Sequence, residues 1–193
     1  MPLLVWRFAD AMTVASTAAA GGGLGLRNWV INAQVASDYG RRDQDDHGAE
    51  LARAAGLDGP GVVMFTAAEV PDVRRATDGD VHAEVTVGLT HPTWAADDDE
   101  PERPAAPGTI NIMALMPERL APAALLNALC TATEAKTQAL LAAGVPGTGT
   151  PSDAVTIACP ARGPVEPFAG PRSTWGARLA RAVHAAVLAG ARS

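Results

Sequence analysis

The chain has 193 residues, enough for one domain at about 150 residues per domain and too few for two independent cores. Fifteen basic residues against 21 acidic ones give a net charge of −6, which excludes a polycation built to neutralise phosphates, so no nucleic-acid partner is expected. Hydrophobic residues make up 48% of the chain and aromatic ones 4%, so the core must be built from Ala, Val and Leu. In chain order, 3–8 and 13–17 read as two strands, Gly21, Gly22 and Gly23 as a tight turn, and Trp29, Val30 and Ile31 as a further extended segment. Asp45 and Asp46 sit at the positive end of a predicted helix whose apolar residues, Ala49, Leu51, Ala52 and Ala55, stop at Gly56. The apolar run 61–66 reads as a strand covered on both faces, and the alternating run 81–87 as a half-buried strand. Residues 95–108 are acidic and proline-rich and read as a solvated loop. Strand character returns at 109–116, followed by a long helix over 122–143, with Pro122 suited to its first turn and Gly144 to its end. A glycine-threonine loop at 146–151 leads to a strand at 154–158, an irregular stretch covers 160–171, and an amphipathic helix over 174–191 closes the chain. Five or six strands with three long helices, the first strands adjacent in sequence, predict an α+β fold: one domain over 1–193, a mixed sheet packed on the helices.

Cys130 and Cys159 have neither CxxC spacing nor a disulfide framework, and a reducing, cytoplasmic setting fits them. Arg7 and Asp10 interrupt the N-terminal apolar stretch, which argues against a signal peptide, and no apolar run is long enough for a membrane span. The glycine cluster fails the dinucleotide fingerprint, because Leu26 and Asn28 stand where it needs glycine. There is no Gly-Lys for a P-loop, no G-x-S-x-G elbow and no H-E-x-x-H pair.

The basic residues divide into 14 arginines and one lysine, Lys136. On a helical wheel at about 100° per residue, Leu126, Leu129, Cys130, Thr133, Thr137 and Leu140 share one face, with Asn127, Thr131, Glu134 and Gln138 as a polar stripe beside it. Lys136 falls on the flank of the apolar face. There it either snorkels to water or points its ammonium into a pocket at the core edge. The loop Thr148-Gly149-Thr150-Pro151-Ser152-Asp153 places three hydroxyls and a carboxylate beside exposed backbone N–H groups. It reads either as a binding and catalytic loop or as an ordinary turn before a strand. Ser173 and Thr174 suit an N-cap, His91 a base or a surface histidine, and Ser16 and Thr17 a site at strand ends or a turn flank.

Gly108-Thr109-Ile110-Asn111-Ile112, the run from Thr131 through Lys136 to Leu140, the loop from Thr148 to Ala154, and Gly170-Pro171 with Ser173-Thr174 and Gly176-Ala177-Arg178-Leu179 occur in that order. With Gly21-Gly22-Gly23, Thr66-Ala67-Ala68 and Thr86-Val87-Gly88-Leu89, the set resembles the adenosylcobinamide amidohydrolase family of corrinoid salvage over roughly 11–190. Two positions depart from the family pattern: Gly21 replaces an asparagine, and Ser152 a threonine whose hydroxyl it keeps. The resemblance implies hydrolysis of the amide joining the corrin side arm to aminopropanol, releasing adenosylcobyric acid for cobamide (vitamin B12) synthesis. It implies a corrinoid substrate and no cofactor of the protein's own, cobalt arriving inside the substrate, and it leaves a metal requirement and a homo-oligomer open. No metal-ligating residues are assigned. The catalytic candidates are Glu134, Lys136, Thr150, Ser152 and Asp153. Lys136 or the backbone of Thr148 to Thr150 would stabilise the oxyanion, while Glu134 or Asp153 activates water or a hydroxyl of Thr150 or Ser152 attacks. Because Glu134 and Lys136 stand about 200° apart on the wheel, one of them is expected to be structural. The substrate-binding candidates are Ser16, Thr17, Gly22, Gly23, His91, Asn111, Thr148, Ser173 and Thr174. Two other readings compete: a non-catalytic corrinoid-binding protein, and an amidohydrolase of a different amide.

Overall fold

The structure is a computed structural model that describes residues 1–98 and 108–193, so most of the predicted acidic loop at 95–108 lies outside the described residues. Strand β1 (Leu3–Ser16) turns through the glycine cluster into β2 (Gly23–Gln34). Gly21 and Gly23 have φ of +65° and +83°, and a Cβ on Gly22 would strike the Ala18 carbonyl, so this turn requires glycine. The two strands expected at 3–8 and 13–17 are one. A shift in register between Arg7 and Met12 lets the ladder continue through the polar interruption while bending it. Helix α1 (Gln44–Ala54) then leads to β3 (Gly61–Thr66), parallel to β2.

The chain continues through β4 (Arg74–Asp78), β5 (Val81–Gly88), β6 (Thr109–Leu115), β7 (Arg119–Leu120), α2 (Pro122–Ala142), β8 (Ala154–Pro160), β9 (Val165–Glu166) and α3 (Thr174–Ala191). Seven strands form one sheet in the order β3-β2-β1-β8-β6-β5-β4, and β7 pairs with β9 separately. The architecture is the expected α+β mixed sheet with three helices, carrying more strands than the sequence suggested. Strand β4 escapes a pattern reading because Arg74, Arg75, Thr77 and Asp78 leave it no apolar alternation; as an edge strand it is protected by those charges.

The sheet folds over on itself. In a flat sheet β2 and β6 would lie about 14 Å apart, three strand spacings. Yet Asn111 Nδ2 on β6 donates to Asn32 Oδ1 on β2 at 2.8 Å and to the Phe65 carbonyl of β3 at 3.0 Å. The bend in the β1–β2 ribbon therefore lays β2 and β3 over β8 and β6. Alternate residues follow from this: Ile110, Ile112, Val155 and Ile157 face the layer of α2 and α3, while Met113, Ala154, Ala158, Val30, Val62 and Met64 fill the space between the leaves. Trp29, Ile31, Ala33 and Val63 pack under α1. Both faces of the central strands are covered, as the near-continuous apolar runs require.

The face of α2 that turns inward differs from the leucine face expected. Leu126 is 54% exposed, and Cys130 and Thr133 are also exposed. The buried face is Ala124, Leu125, Ala128, Ala132, Ala135, Ala139 and Leu140, where small side chains let the helix backbone approach α3 and the sheet closely. Lys136 lies within that buried face, not on its flank, and is 6% exposed.

Candidate active site

Asp153 ends the loop between α2 and β8 and is the point on which four donors converge. Its Oδ1 accepts from the Ile110 N–H at the start of β6 (2.9 Å) and from the Thr150 hydroxyl; its Oδ2 accepts from the Thr150 N–H (3.1 Å) and from the Lys136 ammonium. Ion pair and hydrogen bonds thus tie helix α2, the loop and strand β6 together at one carboxylate, with the Lys136 side chain 7% and the Asp153 side chain 11% exposed. A pair so nearly dry is weak evidence of net stabilisation, because desolvating two charges offsets their attraction; breaking it by removing one partner is costly. Beside it, Thr109 Oγ1 and Ser152 Oγ are 2.7 Å apart, and Ser152 donates to the Gly108 carbonyl at 3.1 Å.

The backbone of Gly149 lies against the pair. A Cβ there would come nearer to Asp153 Oδ2 and Lys136 Nζ than any side chain tolerates, and both atoms are already committed to each other. Gly149→Ala is therefore expected to destabilise the protein by about 1–3 kcal/mol through overpacking, read as a lowered urea midpoint, and to lower activity with it.

Asp153 also lines a cleft of about 320 Å³ at one end of the folded sheet. Its walls come from Thr17 after β1, Tyr39 between β2 and α1, Gln44 at the start of α1, Thr66 at the end of β3, and Thr109 and Ser152. At its rim, Tyr39 stacks on Phe65 (ring centroids 5.2 Å apart) and its hydroxyl pairs with His47 Nδ1 at 2.8 Å. Burial raises the Tyr39 phenol above its ordinary pKa; Arg41 opposes this, while Asp43 and Glu50 add to it.

The structure thus brings Lys136, Thr150, Ser152 and Asp153 into one cluster, with Thr17 on the wall of the adjoining cleft. Ser16 is buried just behind that wall, its Oγ 2.8 Å from Thr156 Oγ1. Thr148 serves the loop: its N–H donates to the Thr93 carbonyl, its hydroxyl accepts from the Ala95 N–H, and its carbonyl accepts from Thr137 Oγ1. Asn111 lies between the two leaves of the sheet. Glu134 is exposed on the outer side of α2, which makes it the outward member of the Glu134 and Lys136 pair. Gly22 and Gly23 sit in the β1–β2 turn, His91 is exposed in the segment after β5, and none of the three lines the cleft. Ser173 caps α3 by accepting from the Gly176 N–H at 3.1 Å; Thr174 is exposed in that helix's first turn, away from the cleft. Among the described residues, no three His, Cys, Asp or Glu side chains are grouped as a metal site needs.

A family model described as adenosylcobinamide amidohydrolase matches residues 1–193. The chain belongs to the adenosylcobinamide amidohydrolase family. Two relatives carry the same name. One, from Methanosarcina mazei, is 30% identical over 178 residues, covering 88% of this chain and 85% of the relative. The other, from Halobacterium salinarum, is 34% identical over 165 residues, covering 80% of this chain and 70% of the relative. For this adenosylcobinamide amidohydrolase family member, the cleft adds residues that sequence reasoning left without a role: Tyr39, Gln44, Thr66 and Thr109. Tyr39 had a signal of the same kind as Lys136, since it is the only tyrosine in the chain. Gln44 had none.

Proposed function

We propose that this protein hydrolyses the amide between the corrin side arm and aminopropanol in adenosylcobinamide, releasing adenosylcobyric acid that re-enters cobamide synthesis. As a family member it is a hydrolase acting on an amide bond. The observation that carries the site assignment is the Lys136–Asp153 pair, buried beside a cleft in the segment between α2 and β8. At about 320 Å³ the cleft is at the lower end of small-molecule pockets, so it takes a side arm and leaves the much larger macrocycle outside, toward the Tyr39 rim.

In this reading Asp153 takes the proton of an attacking water. Lys136, which does not line the cleft, acts by position: it holds the carboxylate aimed. All four donor contacts of Asp153 are in place at rest, and rotation of the Thr150 hydroxyl off Oδ1 frees a lone pair for that proton. Water is favoured over Thr150 as nucleophile because Thr150 is 8% exposed and does not line the cleft. Both cysteines are free thiols, as a reducing cytoplasm would leave them, and no helix among the described residues is long and apolar enough to cross a membrane.

Incubation of the purified protein with adenosylcobinamide, followed by chromatography, is expected to show aminopropanol and adenosylcobyric acid in equal amounts. Tight binding without release would make the protein a corrinoid binder. Equal kcat/KM on a simple N-(2-hydroxypropyl) amide would point to a different amide substrate.

A further inference from the structure

The hydroxyls around the cleft differ in where their protons go. Thr109 and Ser152 form a chain that ends on the Gly108 carbonyl, and Thr150 donates to Asp153. Ser16 and Thr156 bond each other, with Thr156 close to Met64 Sδ. Ser37, also on the cleft wall, is exposed and held by no hydrogen bond among the described residues, whereas Thr17 and Thr66 are fixed. Thr17 Oγ1 accepts from the Val155 N–H at 2.9 Å, while the Thr17 N–H donates to the Val155 carbonyl at 3.0 Å, so both backbone and side chain are fixed. Thr66 Oγ1 accepts from the Ala68 N–H at 3.0 Å, and the Thr66 carbonyl accepts from the Val35 N–H at 2.8 Å. Each oxygen is held by a backbone donor, and among the described residues neither O–H has an acceptor. A threonine hydroxyl carries one proton to give; Thr17 is exposed, so its proton faces solvent until a ligand fills the cleft, and both protons are free to be donated there. Thr66 is 1% exposed, so its proton has little water to turn to. The two residues come from opposite leaves of the folded sheet, at the ends of β1 and β3, and both line the cleft that Asp153 borders.

We propose that the Thr17 and Thr66 hydroxyls together hold the carbonyl oxygen of the scissile amide and stabilise the negative charge that develops on it. This rests on the amide-hydrolysis reading above. As the water oxygen bonds to the carbonyl carbon, the C=O π pair moves onto the oxygen, where two fixed O–H donors meet it. When the C–N bond breaks, that pair returns to the carbonyl. The water oxygen stays with the carboxylate, and both water protons end on the departing amine. Fixed backbone donors behind each hydroxyl mean that little reorganisation is needed as the charge forms. This places the oxyanion site between the end of β1, where Thr17 is bonded to Val155 two residues after Asp153, and the end of β3, and not at Lys136, whose ammonium is committed to Asp153.

Thr17→Val and Thr66→Val remove the donors at nearly constant shape, and Thr17→Ser and Thr66→Ser restore them. The expected result is a fall in kcat of about 100-fold or more for each valine variant, with KM changed by only a few-fold and recovery in the serine variants. Because each valine also leaves a backbone N–H without its acceptor, urea unfolding is run in parallel, and assays are made where all four variants are folded. A second measurement does not need turnover: calorimetric binding of a phosphonate analogue of the hydrolysed arm. Wild type and serine variants are expected to bind it at least tenfold more tightly than the valine variants. Unchanged kcat in folded Thr66→Val, or equal analogue affinity across the set, overturns the clamp. An inactive wild type that still discriminates in the calorimetry overturns the amidohydrolase reading and with it the clamp's role in amide hydrolysis, whereas an active wild type with equal analogue affinity across the set overturns the clamp alone.

Discussion

Lys136→Met is expected to lose about 3–5 kcal/mol of folding stability and to reduce turnover to background. Methionine matches the length of the lysine stem, so the inward face of α2 keeps its packing and the change isolates the charge. What remains is the Asp153 carboxylate with its three other donors and no cation, in a side chain only 11% exposed. Against a typical domain stability of about 5–15 kcal/mol this is a large fraction, and in urea it corresponds to a midpoint lowered by about 1–3 M. Lys136→Arg distinguishes charge from shape. The guanidinium keeps the charge but is broader than an ammonium, and the Gly149 backbone occupies the space it would need. Arginine is therefore expected to fail as well, with a loss in kcat exceeding any change in KM, since Lys136 aims the carboxylate and does not line the cleft. A folded Lys136→Arg protein with wild-type turnover would remove Lys136 from the mechanism.

The parts of this molecule legible in the sequence are those governed by local rules. Helix α3 spans the predicted 174–191, with Ser173 as its cap, because an N-cap and an apolar stripe are both written within a few residues. Strand β3 likewise occupies the predicted 61–66. Lys136 stood out by composition alone, and the loop through Asp153 by its density of hydroxyls beside glycine. What the sequence hid depends on partners distant along the chain. The wheel of α2 favoured leucines, yet the neighbours of that helix admit alanines, so its orientation could not be read from hydrophobicity alone. The fold-over of the sheet is visible only when Asn111 is seen bonded to Asn32 and Phe65, 79 and 46 residues away. Thr66 gained significance only from lining the same cleft as Thr17. Those placements are tertiary, and no periodicity encodes them.

Asp153→Asn is expected to separate the chemistry from the fold. The amide has one oxygen and one NH₂ where the carboxylate offered two acceptors to four donors, so its orientation decides the cost. With the NH₂ in the place of Oδ2 it would face the Lys136 ammonium and the Thr150 N–H, two donors that cannot become acceptors. With the NH₂ in the place of Oδ1 it meets the Thr150 hydroxyl, which can turn to accept, and leaves only the Ile110 N–H without a partner. The second orientation is favoured. It costs about 1–3 kcal/mol for the orphaned N–H, with a further loss because Lys136 now faces a neutral oxygen. The protein is expected to remain folded at 25 °C with a lowered urea midpoint, whereas Asp153→Ala, which strips the acceptor from all four donors, is expected to lose substantially more. An asparagine has no basic lone pair to take a proton from water, so kcat should fall by about 10²–10⁴ even where circular dichroism shows a native fold. Wild-type kcat in a folded Asp153→Asn protein would confine the carboxylate to a structural role and move the search for the base to another group in the cleft.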